Sequence, residues 1–218
     1  MGKGPIRSQR LLALWNGRMG VGKAGSSRGF FDLCMFVSWL FNFGFRFKHM
    51  KQTVFVTGGT GYLGRALIPR LLARGHHVRA LVRPGSEGKL APDCEVVSGN
   101  ALDAKSFADQ IAPAQTLVQL VGVPHPSPAK ARQFREIDLV SARESVAAAT
   151  KAGVRHFVYL SVAQPSPIMR EYLAVRAEGE AMIRASGMNA TFIRPFYVLG
   201  PGHWWPYLIL PMFWCAEL

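Results

Sequence analysis

Three glycines, Gly58, Gly61 and Gly64, lie three residues apart in the segment VTGGTGYLG and have the residue type that a diphosphate site needs. Gly58 permits a tight turn, Gly61 lets phosphates approach the main chain, and Gly64 allows the following helix to pack closely. The start of that helix then offers N–H groups and the positive end of its dipole. The spacing predicts a dinucleotide site; the alternative is a tight strand-to-helix turn without a ligand.

Arg83 lies nineteen residues after Gly64, at the end of the next predicted strand. A site for NAD usually carries Asp or Glu about 20 residues past the glycines, where it binds the ribose 2′-hydroxyl. No carboxylate lies between Gly75 and Ser86, whereas a guanidinium can pair bidentately with a 2′-phosphate. The sequence therefore favours NADP(H) over NAD(H), with a solvated arginine at a strand end as the alternative.

Alternating strand and helix patterns must position these residues. The patterns predict strands at 53–57, 77–82, 95–98, 116–121, 156–160 and 190–193, and helices at 62–74, 105–111, 131–152 and 168–185. Such alternation implies right-handed βαβ crossovers and a doubly wound, parallel α/β sheet. We expect a Rossmann fold with the strand order 3-2-1-4-5-6.

The two ends of the chain differ from this pattern. Residues 30–45 form an apolar block of sixteen residues, shorter than the stretch of about 20 that spans a bilayer. We expect 1–49 to be a disordered or spurious extension before a start at Met50, in preference to a membrane anchor or a folded extension. Residues 50–202 form the predicted Rossmann domain, and 203–218 the start of a C-terminal lobe that we expect to be truncated.

Composition narrows the class of protein further. The net charge is +13, but in the main body the basic residues are scattered, so we expect no nucleic-acid partner. The three cysteines, Cys34, Cys94 and Cys215, are far apart, and no metal-ligand spacing is present. We therefore expect no metal site and a cytoplasmic protein, with membrane association through 30–45 and 203–218 as a weaker alternative.

The glycine segment, the arginine after strand two, the segment GNALD at 99–103 and the YLS end of strand five resemble the atypical short-chain dehydrogenase/reductases. The nearest groups are NmrA-like and isoflavone-reductase-like proteins and relatives of the nucleotide-binding accessory subunit of respiratory complex I. The resemblance covers about residues 50–202. It implies a set of cofactor-binding residues along the strand ends: Gly58, Thr60, Gly61, Tyr62 and Leu63 for the pyrophosphate, with Gly64 at the close helix packing of the same site, Arg83 for the 2′-phosphate, Asn100 and Ala101 for the adenine, Leu120, Val121 and Gly122 for the ribose, and Pro195 for the nicotinamide.

The same resemblance implies a catalytic set of Ser161, Tyr172 and Arg176, in which arginine replaces the family's lysine. The spacing of four residues puts Tyr172 and Arg176 on one helix face. A nearby cation lowers the pKa of a phenol, so Tyr172 could act as general acid while Ser161 hydrogen-bonds the substrate oxygen. Arginine cannot lose a proton in a relay. The alternative is an ordinary pair on the helix surface.

Two functions follow from these residues. The first is an NADP(H)-dependent oxidoreductase or epimerase-like enzyme that acts on an unknown small molecule with a carbonyl or alcohol group. The second is a non-catalytic NADP(H)-binding redox sensor or complex-assembly factor. The fold serves both, so it does not choose between them.

Overall fold

The computed structural model describes residues 51–163, 169–195 and 198. Backbone contacts divide the chain into two units, Met1–Lys48 and His49–Leu218, and all the described residues belong to the second. The expectations for 1–49, including the apolar block at 30–45, for a start at Met50 and for 203–218 lie outside the described residues.

Six parallel strands form one sheet with the order β3-β2-β1-β4-β5-β6, which confirms the predicted topology. The strands are β1 (Thr53–Thr57), β2 (His77–Val82), β3 (Glu95–Ser98), β4 (Thr116–Gln119), β5 (His156–Leu160) and β6 (Asn189–Ile193). The strand order reverses between β1 and β4. Connections leave these two strands toward opposite faces of the sheet, which opens a crevice at their carboxyl ends.

Helices cover both faces of the sheet. Helix α1 (Tyr62–Ala73) follows β1, and helix α3 (Arg170–Ala185) follows β5. The helix after β4 begins as a short α-helical turn (Ala131–Gln133), continues as π-helical turns (Phe134–Leu139) and ends as helix α2 (Val140–Lys151). Within the described residues, no helix has both the length and the hydropathy that a membrane crossing requires.

The helix predicted at 105–111 is wrong. Two short 3₁₀ turns, Ala104–Ser106 and Ala108–Gln110, take its place. Phe107 lies between them with a φ of −144°, which interrupts helical geometry. Its side chain is fully buried and stacks on Phe55 with 6.1 Å between ring centroids. Core packing of this one ring therefore overrides the local helical pattern.

The core has two layers, one on each face of the sheet, because side chains alternate along each strand. On β1, Phe55 packs in the layer that contains the helix after β4, while Val54 and Val56 pack in the layer beneath α1. Burial of each such side chain contributes about 1.5–3 kcal/mol. The two layers hold the carboxyl ends of β1 and β4 in place, which is where the candidate site lies.

Candidate functional site

The glycine loop leaves the start of α1 open to an anion. Gly58 has a φ of +75°, and a Cβ atom there would lie 2.9 Å from the backbone nitrogen of Val121. The Gly61 N–H donates to the Gly58 carbonyl oxygen at 3.0 Å, so the loop turns tightly into the helix. Gly61 is the N-cap and has no side chain to cap the helix, and the first turn of α1 carries no acidic residue. These features fit a diphosphate.

The segment after β2 returns to this loop. The side chain of Leu90 reaches to 3.4 Å from the position of a Cβ atom on Gly59, so the end of this segment lies beside the glycine turn. Arg83 is exposed, and its guanidinium makes no hydrogen bond or ion pair with the part of the chain that is described. A free cation therefore lies at the end of the strand where a ribose 2′-substituent is expected.

Arg79, on the same strand, has a structural role. Its Nε donates to Glu95 at 2.8 Å, and its NH1 donates to the carbonyl oxygens of Gln110 at 2.6 Å and Ala112 at 2.5 Å. The side chain thus ties β2 to β3 and to the segment before β4. Of Arg79, on β2, and Arg83, directly after β2, only Arg83 has a guanidinium available for a ligand.

Asn100 and Ala101 follow β3, next to the end of β2. The pairing of Val82 with Ser98, and the hydrogen bond from Gly99 N–H to the Val82 carbonyl, bring Asn100 close to the start of the Arg83 loop. The Asn100 side-chain oxygen accepts from Leu102 N–H at 3.0 Å, and Ala101 is half-buried. Their contact with an adenine remains a prediction.

The end of β4 is supported by a residue that the sequence analysis missed. The Gln119 side chain is fully buried; its oxygen accepts from Val121 N–H at 2.6 Å, and its nitrogen donates to Ser141 Oγ at 2.9 Å. The Leu120 N–H donates to the Thr57 carbonyl at 3.1 Å. These bonds fix the backbone of Leu120 and Val121 beside the glycine loop, where both are predicted to border a ribose.

Arg176 is buried, so the alternative of a helix-surface pair is wrong. It is 3% exposed, and its NH2 lies 2.5 Å from Oδ1 of Asp138, which is fully buried. Its NH1 donates to the Leu160 carbonyl oxygen at 2.9 Å. Burial raises the pKa of the Asp138 carboxyl, although the guanidinium opposes this. The pair therefore bears a desolvation cost and ties α3 to the π-helical turns.

Tyr172 lies one helical turn before Arg176 on α3. The guanidinium carbon of Arg176 is 5.2 Å from the centroid of the Tyr172 ring, within range of a cation–π contact. The ring of Phe134 packs against that of Tyr172, with 5.0 Å between the two ring centroids. Tyr172 is half-buried and lines a cleft of about 130 Å³ with Phe134 and Met169. The structure thus brings Tyr172 and Arg176 together, with the guanidinium of Arg176 over the face of the Tyr172 ring.

Ser161 lies at the end of β5 and is 2% exposed. Its N–H donates to the Ile193 carbonyl at 2.7 Å, which fixes the backbone against β6. The hydroxyl lies close enough to Glu180 to help lower the pKa of that carboxyl, yet it makes no hydrogen bond of good geometry. In this position Ser161 faces the protein interior, and its contact with a substrate remains a prediction.

Pro195 follows β6, and its carbonyl oxygen accepts from Ala163 N–H at 3.1 Å. This bond holds the exit of β6 beside the exit of β5, at the same edge of the sheet as the glycine loop. Pro195 is half-buried. The structure places it at the edge expected for a nicotinamide-contacting residue, and the contact itself remains a prediction.

Asp138 is the second functional candidate that the sequence analysis missed. It lies on the buried stripe of its helix, four residues after Phe134 and four before Ala142, both of which are buried. A carboxylate on an apolar stripe needs a buried partner. The sequence therefore indicated that Asp138 needs a buried partner. It could not identify Arg176 as that partner, because the two residues are 38 positions apart.

Comparison with known proteins agrees with this geometry. The profile of a family described as NAD(P)H-binding matches residues 58–200. Ceramide reductase of Caulobacter vibrioides is 33% identical over 158 residues, which are 70% of this chain and 48% of the relative. The chloroplastic divinyl chlorophyllide a 8-vinyl-reductase of Oryza sativa is 33% identical over 160 residues, 66% of this chain and 40% of the relative. The chain spans about half the length of these curated relatives.

A solved structure shows the same fold. The enzyme WbmG of Bordetella bronchiseptica, in complex with NAD, superposes with a TM-score of 0.59 at 20% identity. The superposition covers 76% of this chain and 61% of that protein. At this identity the similarity establishes the fold and leaves the reaction open.

Proposed function

The chain belongs to the NAD(P)H-binding family, and from this premise we propose that it is an NADP(H)-dependent oxidoreductase of the short-chain dehydrogenase/reductase type. The observation that carries the proposal is the exposed guanidinium of Arg83, directly after β2, which makes no hydrogen bond or ion pair with the described residues. No carboxylate precedes it on β2 to select a ribose 2′-hydroxyl. A guanidinium in this position favours a 2′-phosphate.

The residues of the loop would bind the dinucleotide in two parts. The start of α1, with Thr60 and Leu63, would hold the diphosphate by main-chain N–H groups, and Arg83 would pair with the 2′-phosphate. Gly122, after β4, and Pro195, after β6, would border the nicotinamide half. When bound, the cofactor would supply a hydride.

An Arg83→Asp exchange tests the choice of cofactor. Loss of a charge-assisted pair should weaken NADPH binding by about 10- to 100-fold, while NADH binding changes little. Isothermal calorimetry measures both affinities. The matched control is Arg155→Asp, which makes the same charge change on an exposed residue at the amino end of β5 and should alter neither affinity. Equal losses for NADPH and NADH in Arg83→Asp would contradict the proposal.

The proposed chemistry is reversible reduction of a carbonyl group. The carbonyl carbon would gain a hydride, and its oxygen would gain the phenolic proton of Tyr172, which solvent then replaces. Tyr172 suits this role because it is half-buried and lines a cleft. Arg176 would support the phenol by its charge at the ring face, without giving up a proton.

We propose a large apolar substrate. The cleft that Tyr172 lines has an apolar part, formed by Pro128, Phe134 and Met169, beside the charged residues Arg170 and Glu171. The two relatives reported above are named as reductases of ceramide and of divinyl chlorophyllide a. An apolar wall beside the proton donor would bind such a carbonyl compound by burial of its hydrocarbon surface.

Turnover of NADPH with a panel of long-chain ketones and aldehydes tests the enzyme. Tyr172→Phe should abolish turnover and keep NADPH affinity, because the phenyl ring preserves the packing against Phe134. If the variant retains the parent's rate, Tyr172 is not the proton donor and this mechanism is wrong.

The second candidate is a non-catalytic NADP(H)-binding sensor or assembly factor. Two observations favour it: Ser161 faces the protein interior, and the polar NH1 and NH2 groups of Arg176 are already bonded to Leu160 and Asp138. A protein that binds NADPH tightly but gives no turnover with any carbonyl compound, in the parent and in Tyr172→Phe alike, would support this function and overturn the first.

A further inference from the structure

A buried ion pair lies at the carboxyl ends of β4 and β5. Asp138 belongs to the π-helical turns and Arg176 to α3, with 2.5 Å between their charged atoms. Side-chain exposure is 0% for Asp138 and 4% for Arg176. Removal of two charges from water costs several kcal/mol, and hydrophobic residues of similar size often serve stability as well. A role in fixing one local geometry accounts for such a buried pair better than a contribution to stability does.

The pair joins the exits of two neighbouring strands. The other oxygen of Asp138, Oδ2, accepts from the backbone N–H of Val123 at 3.0 Å, just after β4. The NH1 of Arg176 donates to the Leu160 carbonyl at 2.9 Å, at the end of β5. Any shift of the pair therefore moves both strand exits.

The same guanidinium lies beside two aromatic rings. Its carbon is 5.7 Å from the centroid of Tyr159 and 5.2 Å from that of Tyr172. Tyr159 is fully buried beneath α3. The position of the Tyr172 ring, and hence of its hydroxyl, thus depends on where Asp138 holds the guanidinium.

The pair also underlies the predicted nicotinamide half of the crevice. A Cβ atom on Gly122 would lie 2.5 Å from NH2 of Arg176 and 3.1 Å from Oδ1 of Asp138. Gly122 follows β4, the first strand of the second mononucleotide-binding half, whereas the glycine loop and Arg83 belong to the first half. The ion pair therefore contacts the second half of the site, at Gly122. It makes none of the contacts described above for the first half, which contains the glycine loop and Arg83.

We propose that Asp138 and Arg176 form a positioning pair that sets the nicotinamide half of the site, by holding the β4 exit and the Tyr172 ring. This inference rests on the proposed dinucleotide function. Asp138 acts through Arg176, and Arg176 acts through Gly122 and Tyr172; neither takes part in proton transfer.

The experiment compares two ligands that differ only in the half at issue. NADP⁺ contains both halves, and adenosine 2′,5′-bisphosphate contains the adenosine half with its 2′-phosphate. We expect Asp138→Asn and Arg176→Lys to weaken NADP⁺ binding by about tenfold or more, the effect of one lost charged hydrogen bond. Binding of adenosine 2′,5′-bisphosphate should stay within about twofold of the parent, because its contacts lie across β1 and β2.

The matched control is Arg135→Gln. Arg135 forms an ion pair with Glu171, so it joins the same π-helical turns to α3, but its side chain is 54% exposed. This exchange removes an ion pair between the same elements without changing the buried one. It should leave the affinities for both ligands unchanged, since exposed pairs contribute little.

The outcomes separate this inference from the function on which it rests. If the parent binds neither ligand, the dinucleotide function is wrong. The positioning role is wrong if the parent binds both ligands and the two variants weaken binding of both equally. It is also wrong if they weaken binding of neither. Thermal unfolding confirms that each variant is folded; should Asp138→Asn fail to fold, Arg176→Lys keeps the charge and carries the comparison.

Discussion

The carbonyl oxygen of Gly58 lies 2.5 Å from the position that a Cβ atom on Gly64 would occupy. Real Cβ atoms do not approach backbone oxygen so closely, and both groups belong to rigid main chain. Gly64→Ala must therefore displace α1 from the loop. We expect a loss of about 1–3 kcal/mol in the free energy of unfolding, as for other overpacked sites, measured by urea denaturation.

Gly61→Ala should act on binding instead. A Cβ atom there would lie 3.2 Å from the Gly58 carbonyl oxygen, and the φ of −75° suits any L residue. The methyl group would point toward the exposed start of α1, where the diphosphate is proposed to bind. We expect near-parental stability with strongly reduced NADPH affinity by calorimetry. Unchanged affinity in folded Gly61→Ala would place the diphosphate elsewhere.

The sequence was sufficient for the fold because the glycine loop and the alternating strand and helix patterns point to one topology. Strand order and most element bounds agree with the structure, although β4 ends at Gln119 and not at the predicted residue 121. The exception, 104–110, depends on Phe107, whose burial against Phe55 is a contact between residues far apart in the chain. Periodicity reports which face of an element is apolar; it does not report which partner that face meets.

The site was less predictable than the fold. Arg79 and Arg83 look equivalent in sequence, but only the structure shows that Arg79 is bonded to Glu95 and the 110–112 carbonyls. The Tyr172–Arg176 spacing correctly predicted proximity. It could not show that Arg176 is buried and bonded to Asp138, since a spacing of four residues describes one helix and not what packs on it.

Glu180 should make stability depend on pH in the acid range. Its carboxylate accepts hydrogen bonds from Arg194, with Nε at 2.7 Å, and from Arg184 at 2.8 Å. The bonds from Arg194 outweigh burial and lower the pKa of Glu180 from 4.5 to about 2. A lowered carboxyl pKa in the folded state stabilises the fold above the unfolded pKa. That contribution is therefore complete above pH 4.5 and is lost as the pH falls toward 2.

Glu180→Gln tests this contribution. The variant should lose about 2 kcal/mol at pH 7, a value reduced from the full shift because the arginines are half-exposed. Its free energy of unfolding should also vary less than the parent's between pH 5 and pH 2. Asp109→Asn, which breaks the exposed pair with Lys151, is the control and should follow the parent. If the free energy of unfolding varies with pH in the same way for the parent and Glu180→Gln, Glu180 does not titrate as described.

Cys94 should be chemically inert in the folded protein. Its thiol is buried at 6% exposure, with Sγ 3.6 Å from the Val78 carbonyl oxygen. Burial, together with the negative charge of Glu95, raises the pKa of the thiol to about 11. Only about 0.1% would be thiolate at pH 8, and the thiolate is the reactive form. In a Cys34→Ser, Cys215→Ser background, iodoacetamide should label the native protein far more slowly than the same protein in urea. Equal labelling rates in the two conditions would mean that the core layer beneath α1 opens freely and that Cys94 is not part of a stable core.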